Sequence, residues 1–578
     1  MSFYAELKRR NVLRAAAFYS AMAWLLVQVA TQVFPFFHVP EWVVRWVVVA
    51  AVVGFPFATA LAWFYEWTPQ GIQRESEVSP DASIARQTGR KLDLGIIVVL
   101  TLAVVILLAD KLILHRDVDA APERSIAVLP LINESGNPGN EYFSDGLSEE
   151  LIAALAQIPN LKVIGRSSSF RFRHSDESSK SIGAKLGVAT LLEGTVRREG
   201  RRVRIVVELV NAMDGRELWA QTYDRELKDI FEVQSEIAQG VADSLKVTLP
   251  GSLHLITKHH VPNFDTYDHY LFGLQLLIHN KYAGFATAVD AFRQAIAMDP
   301  DYAQAYAGLA MAESFAVEDN PNPVEVAVAH RRARVAAERA VALDPQLGDA
   351  YAARGYLRAV NDWNWNGALA DLQEALRLDP KDARNQLRYG YLLATLGRLQ
   401  EASAAFSNGI DEDPLFPPIW YWLGRVQAAQ GDYAGARRAM RRVLAIDPEF
   451  EDAASYLGTL SLLQGDATTA QTIFAKLGRP TGAAMAEHDL GRPVSSKLAL
   501  EQFIAKHAQD RAYAIATAYA WSNNPDQAFA WLERAVVQHD SSLVAIKYDP
   551  LLCGLHADPR FNQLLAKLGL PLSTRPSS

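Results

Sequence analysis

Side chains capable of chemistry are present in this chain but are not spaced for catalysis. His259 and His260 are adjacent, so on a helix they point two ways and do not share a metal ion. Gly136 and Gly139 share a loop that no Gly-Lys-Ser/Thr follows, which excludes a phosphate loop. Neither Gly-x-Ser-x-Gly nor His-Glu-x-x-His occurs. Cys553 is the single cysteine, which rules out an internal disulfide and any multi-cysteine metal site. Acidic residues are plentiful, but no pattern pairs two of them across the fold. The expectation is a protein that is not an enzyme, with no cofactor and no metal. The densest charge cluster is basic: Arg197, Arg198, Arg201, Arg202 and Arg204. It reads as a solvated hairpin face or as a contact for anionic lipid or an acidic partner.

The elements around these residues divide the chain. Its 578 residues suggest three to four domains. Half of them are hydrophobic and 21% are charged, which excludes bulk disorder, and a net charge of -8 argues against nucleic acid as a partner. Three apolar runs, at about 15–37, 44–66 and 94–114, predict transmembrane helices in an anchor covering 1–116. Lys8, Arg9, Arg10 and Arg14 precede the first run, and Arg74, Arg86, Arg90 and Lys91 follow the second. The positive-inside rule then puts the N-terminus in the cytoplasm of a bacterial inner-membrane protein, with the domains after about His115 in the periplasm.

Residues 124–248 read as a small α/β domain. Ser125 to Leu131 is a short β-branched strand, and Asp145 or Ser148 is placed to cap a helix running to about Ile158. Leu161 to Gly165 is a strand, and Ser178 to Leu186 a helix closed by Gly187. Thr190–Arg198 and Arg201–Val210 form a hairpin, followed by a strand at Glu217–Tyr223 and a helix at Asp229–Lys246. The segments Ser125-Ile-Ala-Val-Leu-Pro-Leu131, Tyr142-Phe-Ser-Asp-Gly-Leu-Ser-Glu-Glu-Leu151, Leu192-Glu-Gly-Thr-Val196 and Gly215-Arg-Glu-Leu-Trp-Ala220 resemble the TolB amino-terminal-like domain. That resemblance implies a periplasmic α/β domain with no known catalytic activity.

From 262 onward the chain repeats itself. Asp-Pro pairs fall at 299–300, 344–345, 379–380, 413–414 and 447–448; Gly390, Gly424 and Gly458 step by 34, as do Ala402, Ala436 and Ala470. Phe406, Met440 and Phe474 occupy the large apolar site of each second helix. This pattern resembles the tetratricopeptide repeat and predicts an all-α solenoid of five to six repeats over 262–480. A degenerate repeat and a cap follow over 481–578. The resemblance implies that the first helix of each repeat faces a concave groove. Carried onto this chain, the groove residues are Tyr267, Tyr270, Tyr302, Tyr356, Arg384, Tyr391, Tyr421 and Arg425. Tyr and Arg anchor interfaces well, so the expected partner is a protein or peptide ligand in the groove. The expected function is a membrane-anchored, extracytoplasmic interaction scaffold. The alternative is a sensor ectodomain acting through a separate cytoplasmic partner.

Overall fold

The computed structural model describes short stretches between Val12 and Arg74, then residues 122–247, 260–279, 284–317 and 322–572. The chain divides into two compact units, Met1–Asp119 and Ala120–Ser578. In the first unit, β1 (Tyr65–Thr68) pairs antiparallel with β2 (Gly71–Arg74). Among the described residues no helix is long and apolar enough to cross a membrane. This overturns the expected three-helix anchor. A span needs about 20 residues at 1.5 Å each to cross roughly 30 Å of hydrocarbon, and no described helix combines that length with that apolarity. The third apolar run, 94–114, lies outside the described residues. The topology drawn from Lys and Arg presupposes those spans and has no other support among the described residues.

The second unit begins with a six-stranded sheet. Its strands are β3 (Ser125–Val128), β4 (Ile132–Asn133), β5 (Lys162–Val163), β6 (Thr190–Glu199), β7 (Arg202–Asn211) and β8 (Glu217–Glu226). The order is β5-β3-β6-β7-β8, with β4 also paired to β6. The edge around β3 is parallel and β6-β7-β8 is antiparallel. On β7, Val203, Ile205, Val207 and Leu209 are buried while Arg202, Arg204 and Glu208 face out, the alternation expected of a half-covered strand.

Helices α1 (Glu141–Ala156) and α4 (Ile230–Ser244) cover one face of the sheet. Between them lie the single turn α2 (Arg166–Ser169) and α3 (Ser179–Leu186), which helps cover the opposite face around Ala127, Leu129 and Leu191. Gly187 closes α3 at φ 65°, a left-handed conformation natural to glycine. Helix α1 starts four residues before the expected Asp145 cap. Asp145 and Ser148 instead lie buried inside it. Ser148 Oγ accepts from the Leu131 amide at 2.9 Å, and Asp145 is paired with Arg173. Their capping chemistry serves neighbouring segments rather than the helix end.

The rest of the unit is a run of antiparallel helix pairs. They are α5/α6 (Phe264–His279, Phe285–Met298), α7/α8 (Ala303–Phe315, Pro323–Leu343), α9/α10 (Gly348–Val360, Trp365–Leu378) and α11/α12 (Ala383–Thr395, Leu399–Glu412). Then come α13/α14 (Pro417–Ala429, Tyr433–Ile446), α15/α16 (Glu451–Leu463, Ala467–Lys476), α17/α18 (Pro480–Asp489, Pro493–His507) and α19/α20 (Ala512–Trp521, Pro525–Gln538). Two 3-10 turns and α21 (Pro559–Lys567) are the last elements among the described residues. The step from Pro300 to Pro345 is 45 residues rather than 34 or 35, and α8 is correspondingly long at 21 residues, against 14 for α6, α10, α12 and α14.

The 34-residue step has a packing cause. A Cβ on Gly390 would lie 2.5 Å from Phe406, on Gly424 2.7 Å from Met440, and on Gly458 2.9 Å from Phe474. Each first helix therefore meets the large residue of its second helix with only a hydrogen between them. Gly424→Leu is expected to cost about 1–3 kcal/mol by overpacking. The measurement is the urea midpoint together with hydrogen exchange. Exchange should quicken in α13 and α14 and stay slow in β6 and β7, because stacked repeats pass damage mainly to neighbours.

Candidate functional site

The sheet region and the repeats share one apolar core. Phe143, Leu147 and Leu151 of α1 pack in the same cluster as Tyr267, Tyr270 and Leu271 of α5 and Phe292 of α6. The approach is close: a Cβ on Gly146 would lie 2.6 Å from Leu271. Arg198, from the basic hairpin, donates to Asp268 on α5 at 2.8 Å and to the Tyr142 hydroxyl at 3.2 Å. Burial and Asp268 push the Tyr142 hydroxyl up to about 12. Arg202 and Arg204 are paired with Asp224 on β8. Three of the five hairpin arginines thus meet carboxylates of the chain itself.

Two inter-repeat turns complete the attachment. Lys381 Nζ donates to the carbonyls of Ala156, Ile158 and Leu161 at 2.8, 3.1 and 2.9 Å. It places a cation where α1 ends, the favoured sign for a helix C-terminus. Asp413 accepts from the amides of Ser167 and Ser168 at 3.1 and 2.7 Å, and from the Ser168 hydroxyl. Ser168 Oγ in turn accepts from the Leu415 amide at 2.7 Å, and the Gly165 amide donates to Glu412 O at 2.8 Å. Burial pushes the Asp413 carboxyl up, against the hydrogen bonds from Ser168 and Ser167 that favour its ionised form.

Between α1 and the first helices of the repeats lies a cavity of about 630 Å³. Five of the eight expected groove residues line it: Tyr267 and Tyr270 on α5, Tyr302 at the start of α7, Tyr356 on α9 and Arg384 on α11. Tyr267 and Tyr270 are stacked at 6.3 Å, and Tyr270 meets Tyr302 edge-on at 5.2 Å. The Tyr267 hydroxyl accepts from Gln234 at 3.0 Å. Arg384 reaches Asp382 at 2.9 Å and, across the cavity, Glu149 at 3.3 Å. Glu149 also meets Arg166 at 3.1 Å. Burial opposes ionisation of Asp382, but Arg384 holds it below the usual carboxylate range. Glu150, one residue on, is pushed up to about 8 by burial and by the charges of Glu149 and Asp349.

The other three expected groove residues are not at this cavity. Tyr391 packs edge-on against Trp422 at 4.6 Å. Tyr421 and Arg425 belong to an aromatic cluster in which the Arg425 guanidinium lies 4.7 to 5.8 Å from the rings of Trp422, Tyr548, Tyr421 and Tyr456. Tyr548 comes from the chain's own C-terminal segment. Beside it the Tyr513 hydroxyl donates to Asp549 at 3.0 Å. The end of the chain also returns to α9 and α10: Trp365 Nε1 donates to Leu568 O at 2.7 Å. The second half of the concave face is therefore filled from within.

Sequence spacing singled out Asp413 as one of the periodic Asp-Pro residues but not its partner. In Asp344 and Asp447 the same carboxylate accepts from the amide two residues on, at 2.9 and 3.1 Å. Asp413 is diverted to α2. Lys381, Glu149 and Glu150 carried no periodic signal. Asp413→Ala strands two amides and should cost about 1–3 kcal/mol. Asp447→Ala, one repeat further, should cost about 0.5–1 kcal/mol, since its turn is solvent-exposed. Denaturation midpoints compare them, and limited proteolysis should cut near residues 166–175 in the first variant alone.

Comparison with known proteins accords with the helical region. Residues 357–417 and 397–449 match one tetratricopeptide-repeat family and 427–484 a second. A protein of Rhizobium meliloti (strain 1021) called putative adenylate cyclase 3 is 42% identical over 125 residues, 22% of this chain and 21% of that protein. The chain thus spans about a fifth of the length of that curated relative. PilW, described as a widely conserved type IV pilus biogenesis factor, is 21% identical with a TM-score of 0.31, over 36% of this chain and 95% of PilW. YrrB, described as a tetratricopeptide protein with an unusual peptide-binding site, is 21% identical with a TM-score of 0.23, over 33% and 90%. A thermophilic tetratricopeptide protein of Thermus thermophilus is 19% identical with a TM-score of 0.29, over 34% and 99%. Residues 357–484 of this chain are tetratricopeptide repeats.

Proposed function

We propose that this chain is a non-catalytic protein-interaction scaffold that receives a short segment of a partner in the cavity between α1 and the first helices of the repeats. The observation that carries this reading is the convergence of Tyr267, Tyr270, Tyr302, Tyr356 and Arg384 on one cavity of about 630 Å³. Tetratricopeptide repeats bind peptide or protein ligands, and tyrosine and arginine are the side chains that most often anchor such contacts. The volume suits a side chain or a chain end rather than a folded element.

The sheet region is read as the TolB amino-terminal-like domain on the four segments quoted above, with the role of forming one wall of the site. A sensor is the second reading. It is supported by the likeness of 125 residues to a protein named as a putative cyclase, because a shared binding region can be joined to different outputs. The cyclase name itself belongs to that relative.

Peptides selected by display against the full chain provide the test. Leu277 lines the cavity and is partly buried, so Leu277→Trp pushes a bulky ring into it. The expected result is selected peptides that bind the wild type and weaken at least tenfold on Leu277→Trp, with an unchanged fold by circular dichroism. Selected peptides indifferent to Leu277→Trp would move the binding surface elsewhere.

A further inference from the structure

The cavity holds more acid than the protein itself neutralises. Glu149 is shared by Arg166 and Arg384, and Asp382 is held by Arg384. Asp413 is taken by Ser167 and Ser168, and Asp379 accepts from Gln157 at 2.9 Å. Two lining carboxylates remain, Glu150 and Asp349. Among the described residues neither has a hydrogen-bond or ion-pair partner, and they are close enough for Asp349 to help raise Glu150. The Tyr270 and Tyr302 side chains are almost wholly buried, at 6% and 3% exposure, and line the same cavity. Their hydroxyls also have no partner among the described residues, and Glu150 lies within electrostatic reach of both.

Four unsatisfied oxygen-bearing groups line the cavity, Glu150 from α1 and Tyr270, Tyr302 and Asp349 from the repeats, and together they make an acceptor site. Leaving them empty costs desolvation that a donor would recover. A metal ion is not the match: among the described residues no group of three His, Cys, Asp or Glu is placed to hold one. An ammonium is the match, with three N–H donors and no acceptor. The tyrosine rings add an electron-rich surface of the kind that attracts a desolvated cation.

We propose that the cavity binds a primary ammonium group of a partner, either a lysine side chain or a free N-terminus, between the Glu150 carboxylate and the Tyr270 and Tyr302 hydroxyls. This narrows the interaction reading above and rests on it. Arg384 faces the site from α11 but is committed to Asp382 and Glu149, so it does not neutralise Glu150. Arg388, also on α11, donates to Asn385 at 3.2 Å and is pushed down by burial and by Arg384. His260 stands on the lining and is paired with Asp299 at 2.7 Å.

Protonation gives the site a pH dependence. The carboxyl of Glu150 in the empty cavity is held up to about 8, so below that pH a bound ammonium must first displace its proton. Affinity should then rise by about tenfold per pH unit up to about pH 8 and level above it. The trend runs opposite to the one expected if the site took an anion. His260→Gln is the control for the other ionisable ring on the lining and should leave the profile in place.

The test uses n-butylammonium, which remains charged across this range, with n-butanol as its neutral counterpart, titrated into the full chain by calorimetry and ligand-observed NMR. Binding of n-butylammonium but not n-butanol is expected, weakened at least tenfold in Glu150→Gln and more mildly in Tyr270→Phe. Glu150→Gln removes a strained carboxylate, so it should fold at least as well as the wild type, which its urea midpoint checks. Peptides from the display selection are then N-acetylated or carry norleucine for lysine, and the change that abolishes binding identifies the source of the ammonium. Equal binding of n-butylammonium to wild type and Glu150→Gln, or none to the wild type at pH 8.5, overturns the ammonium proposal. If selected peptides still bind in a Leu277-dependent way in that case, the interaction reading stands alone. If n-butylammonium binds through Glu150 but no peptide does, the interaction reading fails and the ammonium site survives it.

Discussion

The seating of the sheet region on two inter-repeat turns is the constraint on which the rest of the second unit depends. Lys381 closes the end of α1 by donating to the Ala156 carbonyl and to those of Ile158 and Leu161 just beyond it, and Asp413 holds the amides of α2. Asp413 follows from repeat geometry, which brings the Asp-Pro turns to one edge of the solenoid at regular intervals, and Lys381 sits in the turn one repeat earlier, directly after Asp379 and Pro380. A buried carboxylate costs free energy unless it accepts hydrogen bonds, and a half-buried lysine likewise needs acceptors. Each of these charges is satisfied by the other region, so neither region alone would leave it satisfied.

That attachment decides what the concave face can do. In a free solenoid the first helices line an open groove. Here α1 covers the groove at α5 to α11, and the C-terminal segment around Tyr548 and Asp549 fills it at α13 and α15. The arginine at each end shows the difference in use. Arg384 is held by carboxylates at the edge of a space that stays open. Arg425 is enclosed by four aromatic rings and serves packing, with cation–π attraction added to the pull of the Asp549 carboxylate. What remains accessible is a half-open chamber rather than a long channel.

The sequence made some of this legible. Period-34 glycines located the helix pairs because a close approach leaves no room for a side chain, and Gly390, Gly424 and Gly458 each meet the large residue of the facing helix. Alternation on β7 located the buried sheet face, and Gly187 marked the end of α3. Five groove tyrosines and arginines converge because first-helix positions are fixed by the repeat. Asp145 and Ser148 were misplaced as caps because a side chain able to cap can equally satisfy a distant strand. The chamber itself was invisible, since it is made where residues about 120 to 230 positions apart meet, and no local pattern encodes that. The apolar runs near the N-terminus show the reverse case, where composition suggested spans and no described helix is long and apolar enough to form one.

Hydrogen exchange at three backbone amides, Gly165, Ser167 and Ser168, tests the central claim most directly. In the wild-type chain these amides donate to Glu412 O and to the Asp413 carboxylate, so they should exchange as slowly as the interior amides of α11 and α12. Exchange at the rate of an open loop, with α11 and α12 still protected, would mean that the sheet region is not held on the repeats and that the chamber between them does not exist in solution.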